Sequence, residues 1–331
     1  MLHTAKFPTQ SRFALDGGAF RNRFGRLHRP PRLDAGGVGR RSRISASSVS
    51  KSIEDLTHEL PDGMKIEVLK QTPQKESDRP PVVFIHGSCH GAWCWKEYFM
   101  PFFAEAGYTT YAISVRGQGN SELGDLKVSG TIASIADDLT SFVATFEQPP
   151  VLVGHSFGAL IVQKYSMADG FPPLSGVASV CGTPPSGNKG MVGRFLRKDF
   201  FSAMGITWAF IRRTFTKDVN SCRDMFFSKS IGQDDLERFF LEIQNCSPLM
   251  YLDLQQMQQE VPLGKSENFS LPAFVLGAEN DMIVDREAVE ETADFFNTSN
   301  FVMIPDMAHD CMLDTNWKKA AQPLKDWMDG I

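Results

Sequence analysis

The sequence predicts an α/β protein: a doubly wound, mostly parallel sheet with a helical cap inserted into it. Three observations carry this reading. Short apolar runs recur along the chain, among them Val82-Val83-Phe84-Ile85, Val151-Leu152-Val153 and Ala273-Phe274-Val275-Leu276. Continuous apolar runs of this length suit strands covered on both faces. Between the runs lie segments of helical length, and an alternation of strand and helix implies right-handed crossovers with the chemistry at the sheet's C-terminal edge. Finally, the alternation stops between Thr183-Pro184-Pro185-Ser186-Gly187 and Pro262-Leu263-Gly264, where helical, aromatic and Met-rich sequence replaces it.

In chain order, an antiparallel opening is expected over 60–71. Then come strand 82–86, helix 95–106, strand 109–115, helix 132–146, strand 150–154, helix 157–168 and strand 176–181. After the cap follow strand 272–277, helix 286–297 with Asp285 as its N-cap, strand 300–304 and a terminal helix over 314–329. The organisation is therefore 1–50 as a separate leading segment, 51–185 and 265–331 as the two parts of the core, and 186–264 as the cap. The cap holds Phe195, Phe200, Phe201, Met204, Trp208, Phe210, Phe215, Met225, Phe226, Phe227, Phe239 and Phe240. At least half of these are expected to form the cap's own core, and the others to face a pocket.

The chemistry centres on Gly154-His155-Ser156-Phe157-Gly158, placed between an apolar strand and the helix-forming Ala159-Leu160-Ile161-Val162-Gln163-Lys164-Tyr165. Strand, sharp turn and helix together lift a serine oxygen out of the sheet edge and leave the next backbone N–H facing the same pocket. A serine hydroxyl is a weak nucleophile near neutral pH, so it needs a base and a group to orient that base. An acyl-transfer site also needs two donors aimed at the developing oxyanion. The N–H of Phe157 is one. Upstream, strand 82–86 runs into His86-Gly87-Ser88-Cys89-His90-Gly91-Ala92-Trp93-Cys94-Trp95, where the N–H of Ser88 is placed to be the second.

On these residues the chain resembles the α/β-hydrolase superfamily over about residues 58–331. His86-Gly87-Ser88 is similar to its oxyanion loop, Arg116-Gly117-Gln118-Gly119-Asn120-Ser121 to its R-G-x-G-x-S loop, and Gly154 to Gly158 to its nucleophile elbow. His86 to Trp95 also resembles the H-G-x-x-H-G-A-W loop of plant methylesterases and hydroxynitrile lyases. Lyases of that group carry a threonine where this chain has Gly87 and a lysine where it has Asp310, which weakens cyanohydrin cleavage. The plant methylesterases lack the Arg116 to Ser121 loop. Ser156 in place of an aspartate argues against the epoxide-hydrolase and dehalogenase branches.

The resemblance implies a triad in the chain order Ser, acid, His. Of the seven histidines, His3, His28, His58, His86, His90, His155 and His309, only His309 follows Ser156. Asp281, in the turn after strand 272–277, is the expected acid, because Asp285 is the helix cap and Asp310 adjoins His309, badly placed to accept its Nδ1 proton. His86, Gly87, Cys89, His155 and Trp208 are the expected pocket residues. Neither a metal nor an organic cofactor is implied, since a triad and an oxyanion hole suffice for acyl transfer.

Residues 1–50 hold ten Lys and Arg against Asp16 and Asp34 and end in a serine-rich stretch. Arg-rich, Ser-rich and acid-poor sequence reads as an organelle transit peptide, for a chloroplast or, alternatively, a mitochondrion. The whole chain has 34 basic and 39 acidic residues, −5; subtracting ten and two leaves 24 against 37, −13 for the remainder. Such a body has no general attraction for nucleic acid. Within it, 191–217 carries Arg194, Arg197, Lys198, Arg212, Arg213 and Lys217 against Asp199, a basic and aromatic stretch that suits peripheral contact with an anionic membrane. The six cysteines show no metal-ligand spacing and read as free thiols. The expectation is a serine hydrolase, monomer or homodimer, that cleaves a small hydrophobic carboxylic ester. The alternatives are a slow-turnover ligand-binding receptor of the same fold, or a thioesterase or lyase using the same serine.

Overall fold

The computed structural model describes residues 51–331 apart from 76, 199 and 267–268, so the transit segment expected at 1–50 lies outside the described residues. The described residues begin with β1 (Glu54–Glu59) and β2 (Lys65–Gln71), paired antiparallel, and continue through β3 (Val82–Ile85), β4 (Thr110–Ile113), β5 (Val151–His155) and β6 (Gly176–Val180). It ends through β7 (Ala273–Ala278) and β8 (Phe301–Ile304). The strands form one eight-stranded sheet in the order β1-β2-β4-β3-β5-β6-β7-β8, parallel from β4 onward. The central strands show why their sequences do not alternate. Val82, Phe84, Val151 and Val153 pack into one apolar layer, while Val83, Ile85 and Leu152 pack into the other, and all are buried. Period-two side chains with helices on both faces need apolar residues at every position.

The helices are α1 (Trp93–Lys96), α2 (Phe99–Glu105), α3 (Ile132–Val143), α4 (Phe157–Ser166), and, between β6 and β7, α5 (Lys189–Lys198), α6 (Phe200–Arg212), α7 (Val219–Phe226), α8 (Gln233–Gln244) and α9 (Leu254–Glu260). They finish with α10 (Arg286–Phe296) and α11 (Trp317–Met328). Three expectations need correction. The helix expected at 95–106 is two pieces, because Pro101 has no N–H and its ring clashes with the carbonyl four residues back, so α2 must restart with Pro101 in its first turn. A strand precedes Leu60: β1 reads Glu-Asp-Leu-Thr-His-Glu and is almost wholly exposed, so no apolar pattern announced it. The last helix starts three residues late, since Asp314 is buried and accepts the N–H and hydroxyl of Ser228 instead.

The helices between β6 and β7 are anchored to the sheet domain by charge. Glu260 accepts the first N–H groups of α3, from Ile132 and Ala133, at 2.9 and 3.0 Å, where a helix N-terminus favours an anion. Arg194 grips Asp285 through two hydrogen bonds of 2.6 and 2.7 Å. Phe215, Met225, Phe226, Phe227 and Phe239 are buried, whereas Phe200, Met204 and Trp208 are exposed. Among the described residues no helix is long and apolar enough to cross a membrane.

Candidate active site

Strand β5 delivers Ser156 to the tip of the turn into α4, with φ 54° and ψ −122°. A non-glycine residue held there stores about 1–3 kcal/mol of strain and persists only where its surroundings over-determine it. Two glycines do so. A Cβ on Gly154 would lie 2.5 Å from the Gly158 carbonyl oxygen, and one on Gly158 would lie 2.5 Å from that of His86. The spacing of the pentapeptide is thus a packing requirement between α4, β5 and the end of β3.

Beyond β8, His309 Nδ1 donates to Asp281 Oδ2 at 2.7 Å. The other carboxylate oxygen of Asp281 accepts the N–H groups of Ile283 and Val284 at 2.7 and 2.9 Å. Both side chains are buried. Asp285 caps α10 by accepting from Ala288 N–H at 3.1 Å, and it lies outside this arrangement. Ser156 and His309 line one cavity of about 410 Å³, together with Ser88 and Phe157. Its remaining wall is largely apolar, including Phe195, Phe210 and Phe226 from the inserted helices. Val192, Leu254 and Met282 line it and are also 40, 42 and 41% exposed, so its mouth is apolar too.

The expected pocket residues do not line this cavity. His86 is buried beneath the loop, where its Nδ1 donates to Gly87 O at 2.7 Å and its Nε2 accepts the Val115 N–H at 3.1 Å. That pattern requires the neutral ring, and burial pushes its pKa down to about 3. Gly87 is a spacer, since a Cβ there would sit 2.7 Å from Ser156 Cβ. His155 lies behind the site, donates Nε2–H to His309 O at 3.0 Å and is likewise held down to about 3 by burial. Cys89 is half-buried at φ 65°, and its thiol meets Cys246. Trp208 is 53% exposed on α6 with Arg212 stacked 4.4 Å above its ring. The segments were legible in the sequence, but side-chain direction is a tertiary property.

The sequence reading also missed a pair. Asp310, set aside for its position next to His309, is fully buried with Oδ2 2.8 Å from His90 Nε2. Its partner histidine stands in the loop after β3. Donor atoms of His155, His309 and Asp310 come within 4.8 Å of one another, a spacing a metal could use. Here, however, His155 Nε2–H is directed at a carbonyl, His309 Nδ1 at Asp281 and Asp310 Oδ2 at His90, so the cluster's arrangement is that of a hydrogen-bonded network.

A serine at a strained strand–helix turn, sharing a cavity with a carboxylate-bound histidine, defines the hydrolase class of this fold. The Alpha/beta hydrolase family model matches residues 82–322, and the chain belongs to that family. Among its relatives, Methylesterase 1 of Arabidopsis thaliana is 32% identical over 88 residues, 26% of this chain and 33% of that protein, so the match spans a third of that relative. A putative non-heme bromoperoxidase of Mycobacterium tuberculosis is 25% identical over 237 residues, 69% of this chain and 86% of that protein. The solved esterase of Exiguobacterium antarcticum superimposes with a TM-score of 0.60 at 16% identity, covering 82% of this chain and 98% of the other, a likeness of fold.

Proposed function

We propose that the protein hydrolyses carboxylic esters with a hydrophobic acyl or alcohol part. The observation that supports this most is the common cavity of Ser156 and His309, apolar around its polar floor. On this reading His309 Nε2 takes the Ser156 proton as Oγ attacks the ester carbonyl, and the N–H groups of Ser88 and Phe157 receive the oxyanion. The collapse of that intermediate expels the alcohol with the proton from His309. Water, deprotonated by the same ring, then releases the acid and restores Ser156. Asp281 keeps Nδ1 protonated, so that Nε2 holds the lone pair, and stabilises the imidazolium that forms at each step.

The face beside the mouth extends the proposal to a lipid surface. Phe200, Met204 and Trp208 recur every fourth residue on α6 and are exposed, so they share one face. Arg197, Lys198, Arg212 and Lys217 are exposed around them, whereas Arg194 is turned to Asp285 and Arg213 to Cys246 and Ser247. Apolar side chains among cations suit an anionic bilayer, from which an apolar ester would reach the cavity. In the same proposal the basic segment 1–50 directs the chain to a plastid, to be tested by import of a fluorescent fusion.

Turnover of p-nitrophenyl esters of graded acyl length tests the central reading. Multiple turnovers with a preference beyond acetate are expected. A single burst with no further release would instead make the protein a receptor that retains the hydrolase residues.

A further inference from the structure

Beneath the proposed oxyanion loop and base, two side chains that the chemistry does not use meet in the protein interior. His90 and Asp310 are separated by 220 positions in sequence, and both are buried. Nε2 of His90 lies 2.8 Å from Asp310 Oδ2, and Nδ1 lies 2.8 Å from the carbonyl oxygen of Ser88. A backbone carbonyl has no proton to give, and an ionised carboxylate only accepts. An imidazole that faces an acceptor at each nitrogen satisfies both only when each nitrogen carries a proton, which is the imidazolium form.

The surroundings agree with a buried charge pair. A lone buried cation is costly, and a carboxylate within hydrogen-bonding distance offsets that cost. His155 approaches Asp310 Oδ1 at 3.8 Å, but its Nε2 proton is directed at His309 O and its ring is neutral. His86 is neutral as well. The hydrogen bond with Cys89 draws the Cys246 pKa down, and Arg213 Nη2 stands 2.7 Å from its sulfur. Trp93 stacks on the His90 ring at 5.4 Å and Phe226 meets it edge-on at 5.7 Å, which fixes the plane of the imidazole. The Asp310 carboxylate raises the His90 pKa against its burial, and His90 lowers that of Asp310 against its own burial.

We propose that His90 is a permanent imidazolium that joins the oxyanion loop, at Ser88, to the loop of the base, at Asp310, and thereby sets the distance between oxyanion donor and base. The two loops follow different strands, β3 and β8, at opposite sides of β5 in the sheet order. Only a link across the interior couples them directly. Asp310 N–H also donates to Phe226 O at 2.9 Å, so the same node holds a cavity wall. His90 and Asp310 are positioning residues: they touch neither substrate nor the reacting atoms. The inference rests on the ester-hydrolase reading for its consequence, though the charge state of His90 does not.

Two measurements test it. In wild-type protein uniformly labelled with 13C and 15N, the His90 ring, assigned through its own backbone, should show two protonated nitrogens across the neutral range. A neutral His90 ring overturns the proposal even if neither variant folds. In ester turnover, Asp310→Asn and His90→Gln should each lower kcat by about 10- to 100-fold, the size of effect expected from misplacing reacting groups, while KM stays within about twofold. The double variant should be no worse than the poorer single one, because both remove the same link. Full kcat in both folded variants also overturns the proposal. If instead wild-type protein turns over no ester, or Ser156→Ala turns it over equally well, the hydrolase reading fails while the spectrum still reports on His90.

Discussion

His309 Nδ1 stands 2.7 Å from Asp281 Oδ2, while Asp281 Oδ1 is held by the backbone N–H groups of Ile283 and Val284. The carboxylate therefore cannot rotate away without abandoning three hydrogen bonds, and the imidazole is oriented by the fold before any substrate arrives. The turn after β7 serves as a rigid mount for a ring that belongs to another loop.

Replacing Asp281 with Asn should lower kcat by on the order of 10⁴, because an amide N–H facing Nδ1 favours the wrong tautomer. Asp285→Ala removes a helix cap, worth about 1 kcal/mol of stability, and the partner of Arg194, while leaving kcat within a few-fold. Steady-state kinetics beside urea unfolding separates the two. Equal loss of activity in both variants would place the acid elsewhere.

Ser156→Ala should reduce kcat by at least about 10³-fold and abolish labelling by a fluorophosphonate, with the fold retained, since only the Oγ atom is removed. Mass spectrometry of the labelled wild-type protein should find the adduct on Ser156. An adduct on another residue would contradict the assignment.

Stability should fall as the solution is acidified from neutrality. His86 and His155 are each held down to about 3 in the folded protein, but take up a proton near 6.5 once unfolded. Between those values the unfolded chain binds more protons, so lowering the pH favours unfolding. At about pH 5 the loss approaches 2 kcal/mol for each histidine as an upper figure. His90 acts with the opposite sign: its contribution is complete below 6.5 and is lost as pH rises through its raised folded value. Urea midpoints measured from about pH 7 to pH 5 check this, in a range where ordinary carboxylates scarcely titrate. A flat profile there would contradict two neutral buried histidines.

In flotation with vesicles, residues 51–331 should bind phosphatidylglycerol-containing membranes but not phosphatidylcholine alone, and release as salt is raised. Arg197→Glu with Arg212→Glu should abolish the binding, and Trp208→Ala should weaken it. Failure to bind at low ionic strength would remove the membrane from the proposal and leave the cavity reading intact.

What the sequence determined by itself was local and one-dimensional. Apolar runs alternating with helical lengths specified the sheet, because a strand covered on both faces has no polar position to spend. Gly154 and Gly158 around Ser156 marked the turn by their spacing; the contacts that exclude a side chain at Gly154 are made within and just beside the pentapeptide, whereas those at Gly158 come from Ile85 and His86 at the end of β3. His309 followed from being the sole histidine after Ser156, and Asp281 from its place in a turn. What only the tertiary structure decided was direction and partnership. His86, Gly87 and His155 sit in the expected loops yet support the site from behind, because strand and loop residues a single position apart point to opposite sides. The exposed β1 carries no core pattern and forms by pairing with β2. Asp310 was dismissed for lying next to His309, and it was the fold that brought His90 to it across 220 residues. Adjacency in sequence constrains a hydrogen bond to a neighbour, but it says nothing about a charge whose partner arrives from another strand.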